Sequence, residues 1–418
     1  MSILIYSAPL WSYPTVSGFS DTSVYVYSSE RDDLGGTQTK ARIHEGVMLN
    51  VDFMKQLSFH TFNRITVRTD TNENPDMWDL NIYYGYLEYD FSKDLIFQFG
   101  RIMDISNLAF TFYDGVNLEY KLKFSNHKAN LFTYVGFVVN DDYLEHENSI
   151  HDFSSFDYRS LFTKQRNGDY TTGAKANIFL NKLGIIALDY QVLFNENKLA
   201  EQYVNFNFDT FFSKMIRAYG YVNIDTIDNL PSNSHIAVRI NPLDKFSYIF
   251  EYEYSRPVFL KDSFFWAYFI PYGAHSLNNI FLYIINKDMT VDFQYSALLY
   301  DATDESGHEI STKFIHRDIF DFTLKFYFGF LTGPEGHKIK TQVFGARRIW
   351  IIDAIAGFGA VFYSDDEELN SFSQSYYLSL GARSRIMKSL VLSFNSEFYA
   401  NPKYYYDTRM VFSVKYLF

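Results

Sequence analysis

Apolar residues fall on every second position in segment after segment of this chain. Between Val116 and Phe124, the residues Val116, Leu118, Tyr120, Leu122 and Phe124 share one parity, and Asn117, Glu119, Lys121 and Lys123 share the other. Residues 320–330 repeat the pattern: Phe320, Phe322, Leu324, Phe326, Phe328 and Phe330 alternate with Asp321, Thr323, Lys325, Tyr327 and Gly329. Residues 204–209, 236–240, 250–255 and 291–296 do the same. A period of two is the mark of a β-strand with two unlike faces. A helix turning every 3.6 residues would scatter these side chains around its axis.

Segment length and number narrow the choice of fold. Turn signals bound about 22 segments, within a range of roughly 16 to 24. Each runs to about nine to thirteen residues, which suits a tilted membrane-crossing strand and exceeds the usual globular strand. The expected fold is all-β: a closed antiparallel transmembrane barrel of meander topology, spanning residues 18–418 as one domain. Residues 1–17 stand outside the pattern. Ile3, Leu4 and Ile5 followed by Ser7 and Ala8 read as a remnant of an export signal, without the basic start of a full one.

Composition supports the same reading. Aromatic residues make up 20% of the 418, with 43 Phe and 35 Tyr. Barrels spend aromatics on girdles at both membrane interfaces. The mean hydropathy of −0.17 does not argue against a membrane, because lipid-facing and lumen-facing residues cancel in the average. No run of roughly eighteen apolar residues occurs, so a helical span is excluded on length. The absence of cysteine fits passage through an oxidising compartment. A net charge of −12 with no basic stripe argues against a nucleic-acid partner.

The connections fall into two kinds. Met54-Lys55-Gln56, Ser92-Lys93-Asp94, Asn181-Lys182-Leu183, Asp244-Lys245, Lys287-Asp288 and Met387-Lys388-Ser389 are tight and carry lysine. Residues 70–79, 140–169, 301–309 and 364–373 are longer and mostly acidic. Short turns on one rim and longer loops on the other is a barrel arrangement.

The C-terminal segment carries a resemblance. Met410, Phe412, Val414, Tyr416 and Phe418 alternate with residues that include Arg409, Ser413 and Lys415. An apolar, aromatic strand that ends on Phe resembles the closing strand of Gram-negative outer-membrane β-barrels, and over nearly its whole length the chain is similar to porin-like members. Phe99-Gly100-Arg101 followed by Asp114-Gly115-Val116 looks like a strand–loop–strand feature of such barrels. The resemblance implies location in the outer membrane, contact with its lipid, and recognition of Phe412, Val414, Tyr416 and Phe418 by the barrel-assembly machinery. It implies passive diffusion of small hydrophilic solutes or ions, with no catalysis. The competing reading is a sheath or scaffold whose lumen holds a periplasmic partner protein, as in porin–cytochrome or secretion complexes. A soluble all-β binding protein is a third.

A channel's chemistry is its lining. Parity assigns Arg64, Lys121, Lys123, Lys175, Arg217, Arg239, Lys325, Arg383 and Arg385 to the polar face, with Glu251, Glu253 and Asp292. Arg68, Asp52, Glu88, Glu119, Asp189, Asp209, Asp321 and Glu397 join them. Two loops stand out: residues 140–169 for length and acidity, and residues 256–275 for Phe259, Phe264, Phe265, Trp266, Tyr268, Phe269 and Tyr272. Asp141, Asp142, Glu145 and Glu147 lack the spacing of a calcium loop. His146, His151, Asp152 and Ser154 are close in sequence, which does not make a triad. No cofactor, metal or catalytic residue is assigned.

Overall fold

A computed structural model describes residues 14–31, 36–68, 78–105, 110–139, 170–195, 197–227, 230–255, 274–300, 306–333, 336–364, 373–400 and 404–418. The loop residues singled out between 140 and 169, and those between 256 and 273, lie outside these. The described chain is strand joined by tight turns. It contains no helix long and apolar enough to cross a membrane.

The strands are β1 (Thr15–Arg31), β2 (Gly36–Met54), β3 (Leu57–Arg68), β4 (Trp78–Asp90), β5 (Leu95–Ile105), β6 (Phe110–Phe124), β7 (His127–Val139) and β8 (Tyr170–Phe179). Next come β9 (Gly184–Asn195), β10 (Lys198–Phe211), β11 (Ile216–Asp225), β12 (Leu230–Leu243), β13 (Phe246–Ser255), β14 (Ala274–Ile284) and β15 (Met289–Tyr300). The last are β16 (Ser306–Ile319), β17 (Phe322–Gly333), β18 (Gly336–Ile349), β19 (Ile352–Ser364), β20 (Ser373–Met387), β21 (Leu390–Ala400) and β22 (Tyr404–Leu417). They form one 22-stranded sheet in which each strand pairs antiparallel with the next. β22 returns to β1, with Val24 opposite Phe412 and Thr22 opposite Val414. Gly18 and Phe418 seal the seam by exchanging N–H···O bonds of 3.0 and 3.1 Å. Closure leaves no strand edge unpaired, a condition that hydrocarbon imposes on any spanning sheet. The expected closed meander of about 22 strands is the observed fold.

Details differ from the expectation. β1 begins at Thr15, so the wall takes in the end of the segment expected to lie outside it. β1 has 17 residues and β2 has 19, well beyond the expected length. Their far ends, Ser28-Ser29-Glu30-Arg31 against Gly36-Thr37-Gln38-Thr39, are polar on both parities, so hydropathy marks the strand end too early. The loop rim is not uniformly long either: only residues 334–335 separate β17 from β18. Glu309, assigned to a loop from its acidic neighbours, belongs to β16. Asp321 does not continue the alternation of β17. It sits in the turn beside Phe320, both at positive φ (65° and 51°), and meets Arg347 at 3.4 Å. Two successive left-handed residues make the tight hairpin reversal that right-handed strand twist favours.

Which face is concave follows from contacts that skip a strand. The Phe19 ring on β1 lies 6.1 Å from Phe62 on β3, above Gly46 and Met48 of the intervening β2. Side chains converge in this way only inside the curve. That parity holds Asp21, His44, Asn50, His60 and Arg64, and the opposite parity holds Val24, Ile43, Val47, Leu49 and Ile65. The register carries both parities around the ring. Phe99, Phe137 and Phe358 on the convex face are 57%, 68% and 49% exposed, a surface that water does not tolerate in this extent. Phe91, Phe212, Phe320 and Trp350 stand exposed at the short-turn rim, as a girdle at an interface would.

Glycines inside the curve make room for rings. A Cβ on Gly136 would fall 2.6 Å from Tyr113 Cδ2, and one on Gly173 would fall 2.5 Å from the Tyr134 hydroxyl oxygen. Gly136→Val and Gly173→Val are each expected to cost about 1–3 kcal/mol through overpacking. The check is the temperature at which detergent-folded protein converts to the unfolded gel band.

Candidate functional site

The concave face is polar because every second residue of each strand points there, and those positions carry the charges. The register sets Arg64, Lys121, Lys123, Lys175, Arg217, Arg239, Glu251, Glu253, Asp292, Lys325, Arg383 and Arg385 on this one parity. They come from strands all around the ring, so they form local groups on the wall rather than one cluster.

The first group lies on β10 to β14. Arg217 grips Asp209 with two parallel bonds, Nε to Oδ1 at 2.7 Å and Nη2 to Oδ2 at 2.6 Å. Its guanidinium sits between the rings of Phe211 and Tyr219, 5.2 and 4.9 Å from their centroids. Arg239 is directly across from Arg217 and donates to Asn241 Oδ1 and Ser247 Oγ at 3.0 and 3.1 Å. Glu251 meets His235 Nε2 at 2.9 Å and accepts from Asn278 Nδ2 at 3.0 Å. Cation and anion stand on adjacent strands, which sets a transverse field along the wall.

The second group lies on β4 to β8. Asn117 Nδ2 donates to Gln98 Oε1, and Gln98 Nε2 donates to Glu88 Oε2, at 2.9 and 2.8 Å. Asn130 Nδ2 donates to Glu119 Oε1 at 3.1 Å, and the Lys121 ammonium lies 3.8 Å from the same oxygen. Above this relay, Tyr86, Ile102, Tyr113 and Tyr134 pack together, the last two rings stacked at 5.0 Å. With Phe132 and Lys175 they line a cavity of about 180 Å³. Parity reading missed this cavity because it counted tyrosine as apolar whichever way it pointed. The signal was Gly115, Gly136 and Gly173, small residues on polar-face positions of three successive strands.

Elsewhere on the face, Lys313 is 3.9 Å from Asp292, Tyr327 donates to Glu309 at 3.1 Å, and Arg409 is 3.2 Å from Asp407. Arg64 donates to His44 Nδ1 and the Tyr83 hydroxyl at 2.9 and 3.2 Å. Arg385 donates to the Lys388 carbonyl at 2.7 Å, which ties it to the short-turn rim. Among the described residues, Lys175, Lys325 and Arg383 have no hydrogen-bond or ion-pair partner. Among the described residues, no three metal-ligating side chains come together.

Paired and unpaired cations differ in what they offer a passing ion. Asp209→Asn is expected to cost about 0–1 kcal/mol, since the pair is more than a third exposed. It frees the Arg217 guanidinium, so anion preference should rise; the reversal potential in a salt gradient across a planar bilayer reads this directly.

No family model matches the sequence, and no curated protein matches it. Solved structures are similar in architecture. The outer membrane protein opdK from Pseudomonas aeruginosa is 7% identical at a TM-score of 0.44, over 97% of this chain and 98% of its own. OccAB2 from Acinetobacter baumannii is 8% identical at 0.46, over 97% and 98%. A BenF-like porin from Pseudomonas fluorescens Pf-5 is 7% identical at 0.40, over 96% and 99%.

Proposed function

We propose that this chain is an outer-membrane channel for passive diffusion of small hydrophilic solutes or ions. The observation that carries the reading is a sheet closed by β1 and β22, apolar on its convex face and charged on its concave face. An apolar exterior on a barrel without edges matches hydrocarbon, not water. A barrel of this many strands encloses more space than its own wall side chains fill. The interior then holds water, and the charges lining it act on whatever crosses. Arg64, Lys121, Lys123, Lys175, Arg217, Arg239, Lys325, Arg383 and Arg385 supply the positive lining, with Glu251, Glu253 and Asp292 opposing them. Outer-membrane lipid solvates the wall, and Phe412, Val414, Tyr416 and Phe418 serve as the segment that assembly machinery reads.

Purified protein in planar bilayers tests the reading. Stable ohmic steps that scale with salt concentration are expected. A barrel that stays silent and copurifies with a periplasmic protein would replace the channel with a sheath.

A further inference from the structure

Ten hairpins, from β2–β3 to β20–β21, turn at the short-turn rim. Seven of them carry a lysine in the turn and an exposed apolar side chain within two residues of it. Lys55 follows Met54, Lys182 precedes Leu183, Lys214 lies between Phe212 and Met215, Lys245 follows Leu243 by two, and Lys388 follows Met387. Lys93 with Phe91 and Lys287 with Ile285 complete the set. All seven lysines are exposed. Lys287 lies 3.8 Å from Asp288; among the described residues, none of the other ammonium groups has a hydrogen-bond or ion-pair partner. Several acids at this rim are already engaged: Asp94 with Lys123 at 3.9 Å, Asp321 with Arg347 at 3.4 Å, and Asp353 with Arg348 at 3.9 Å. In a chain of net charge −12, the unpaired charge at this rim is mostly positive.

We infer that this rim binds the headgroups of anionic phospholipid in the leaflet it reaches, in preference to zwitterionic lipid. The distribution of the lysines carries the choice of occupant. They run from β2–β3 round to β20–β21, so no one face of a folded partner collects them, whereas an annulus of lipid meets every one. The chemistry of each turn agrees. The apolar neighbour sets the lysine stem at the edge of the hydrocarbon, and the ammonium reaches past it to the level of the phosphates. A turn surrounded by water alone gains nothing from an exposed Phe212 or Leu243 beside its lysine. Short turns belong to the periplasmic side of such a barrel, so the leaflet is the periplasmic one. A cation close to an anionic lipid surface is worth roughly fivefold in association. The inference rests on the membrane reading above.

The test uses the full chain reconstituted in phosphatidylcholine vesicles, with its four tryptophans changed to Phe and one indole restored, by Phe212→Trp beside Lys214 or by Phe358→Trp within the wall. Phosphatidylglycerol brominated on its acyl chains should quench the indole of Phe212→Trp with an apparent association at least roughly threefold stronger than brominated phosphatidylcholine. The indole of Phe358→Trp should be quenched by both. Lys182→Gln, Lys214→Gln and Lys245→Gln together should bring the two lipids to parity at Phe212→Trp. Salt at about 1 M should do the same in the chain that keeps its lysines, so the test stands if the triple variant does not fold. The heat-shifted gel band of the vesicles shows that each chain folded. Folded protein whose wall indole neither lipid quenches overturns the membrane reading itself. With the wall indole quenched, equal affinity of the two lipids at Phe212→Trp, or a phosphatidylglycerol preference that survives both salt and the three substitutions, overturns the headgroup site.

Discussion

Phe326→Arg and Phe358→Arg, combined in one chain, are expected to abolish the folded barrel. Both rings stand on the convex face, 40% and 49% exposed, Phe326 in β17 and Phe358 in β19. An arginine at the midplane of a lipid-facing wall costs about 2–4 kcal/mol each. The pair together approaches the whole stability of an ordinary domain. Thr323→Arg and Gln342→Arg, on the concave parity of β17 and β18, carry the same added charge. They should leave folding intact, because water reaches them. The measurement is the fraction of detergent-refolded protein that runs at the folded position before boiling. Equal loss from both pairs would mean that the two faces are not in different solvents.

The second large effect is on ion preference. Among the described residues, Lys175, Lys325 and Arg383 have no hydrogen-bond or ion-pair partner, although Asp189 and Asp353 stand directly across from Lys175 and Arg383. Reversal of all three to Glu changes the lining by about six charges inside a low-dielectric wall that focuses field. The permeability ratio of anion to cation should fall roughly two- to ten-fold, the low end of such focusing. Single reversals of paired residues such as Arg409 should do less and unfold more, since they set a second carboxylate beside the buried Asp407. A reversal potential that the triple variant leaves unmoved would remove these residues from the conducting path.

The fold was legible because a wall that meets oil on one side and water on the other must alternate at every strand. Val116 to Phe124 states it in nine consecutive letters. The tight turns carried their own signal in lysine. What alternation could not carry is a break in parity. At β3 and β4 the register shifts between Phe62 and Asn63, and Tyr83 is the extra residue, brought against Phe62 at 5.1 Å. A bulge adds one residue to one strand, and nothing in local hydropathy announces it. Asp321 was misplaced for a related reason: two turn residues of the right polarity imitate two more strand positions.

The lining was legible in parity but not in pairing. Arg217 and Asp209 are eight positions apart in sequence and become neighbours only when β10 folds back on β11. The tyrosine-lined cavity needed residues from β4 to β8, a property of register across many strands. Phe99-Gly100-Arg101 and Asp114-Gly115-Val116 stood out in the sequence. Only the paired sheet places Gly100 opposite Gly115 and Arg101 opposite Asp114, with the ion pair on the oily side.

Solvent contact along a single strand tests the account most directly. The chain has no cysteine, so one can be placed at each position of β17 without background. In outer-membrane vesicles, a water-soluble maleimide should label residues 323, 325 and 329 and spare 324, 326 and 328, while a lipid-dissolved quencher acts on probes at the second set alone. Uniform labelling, or the two sets exchanged, would contradict a barrel that turns its oily face to lipid and its charges to water.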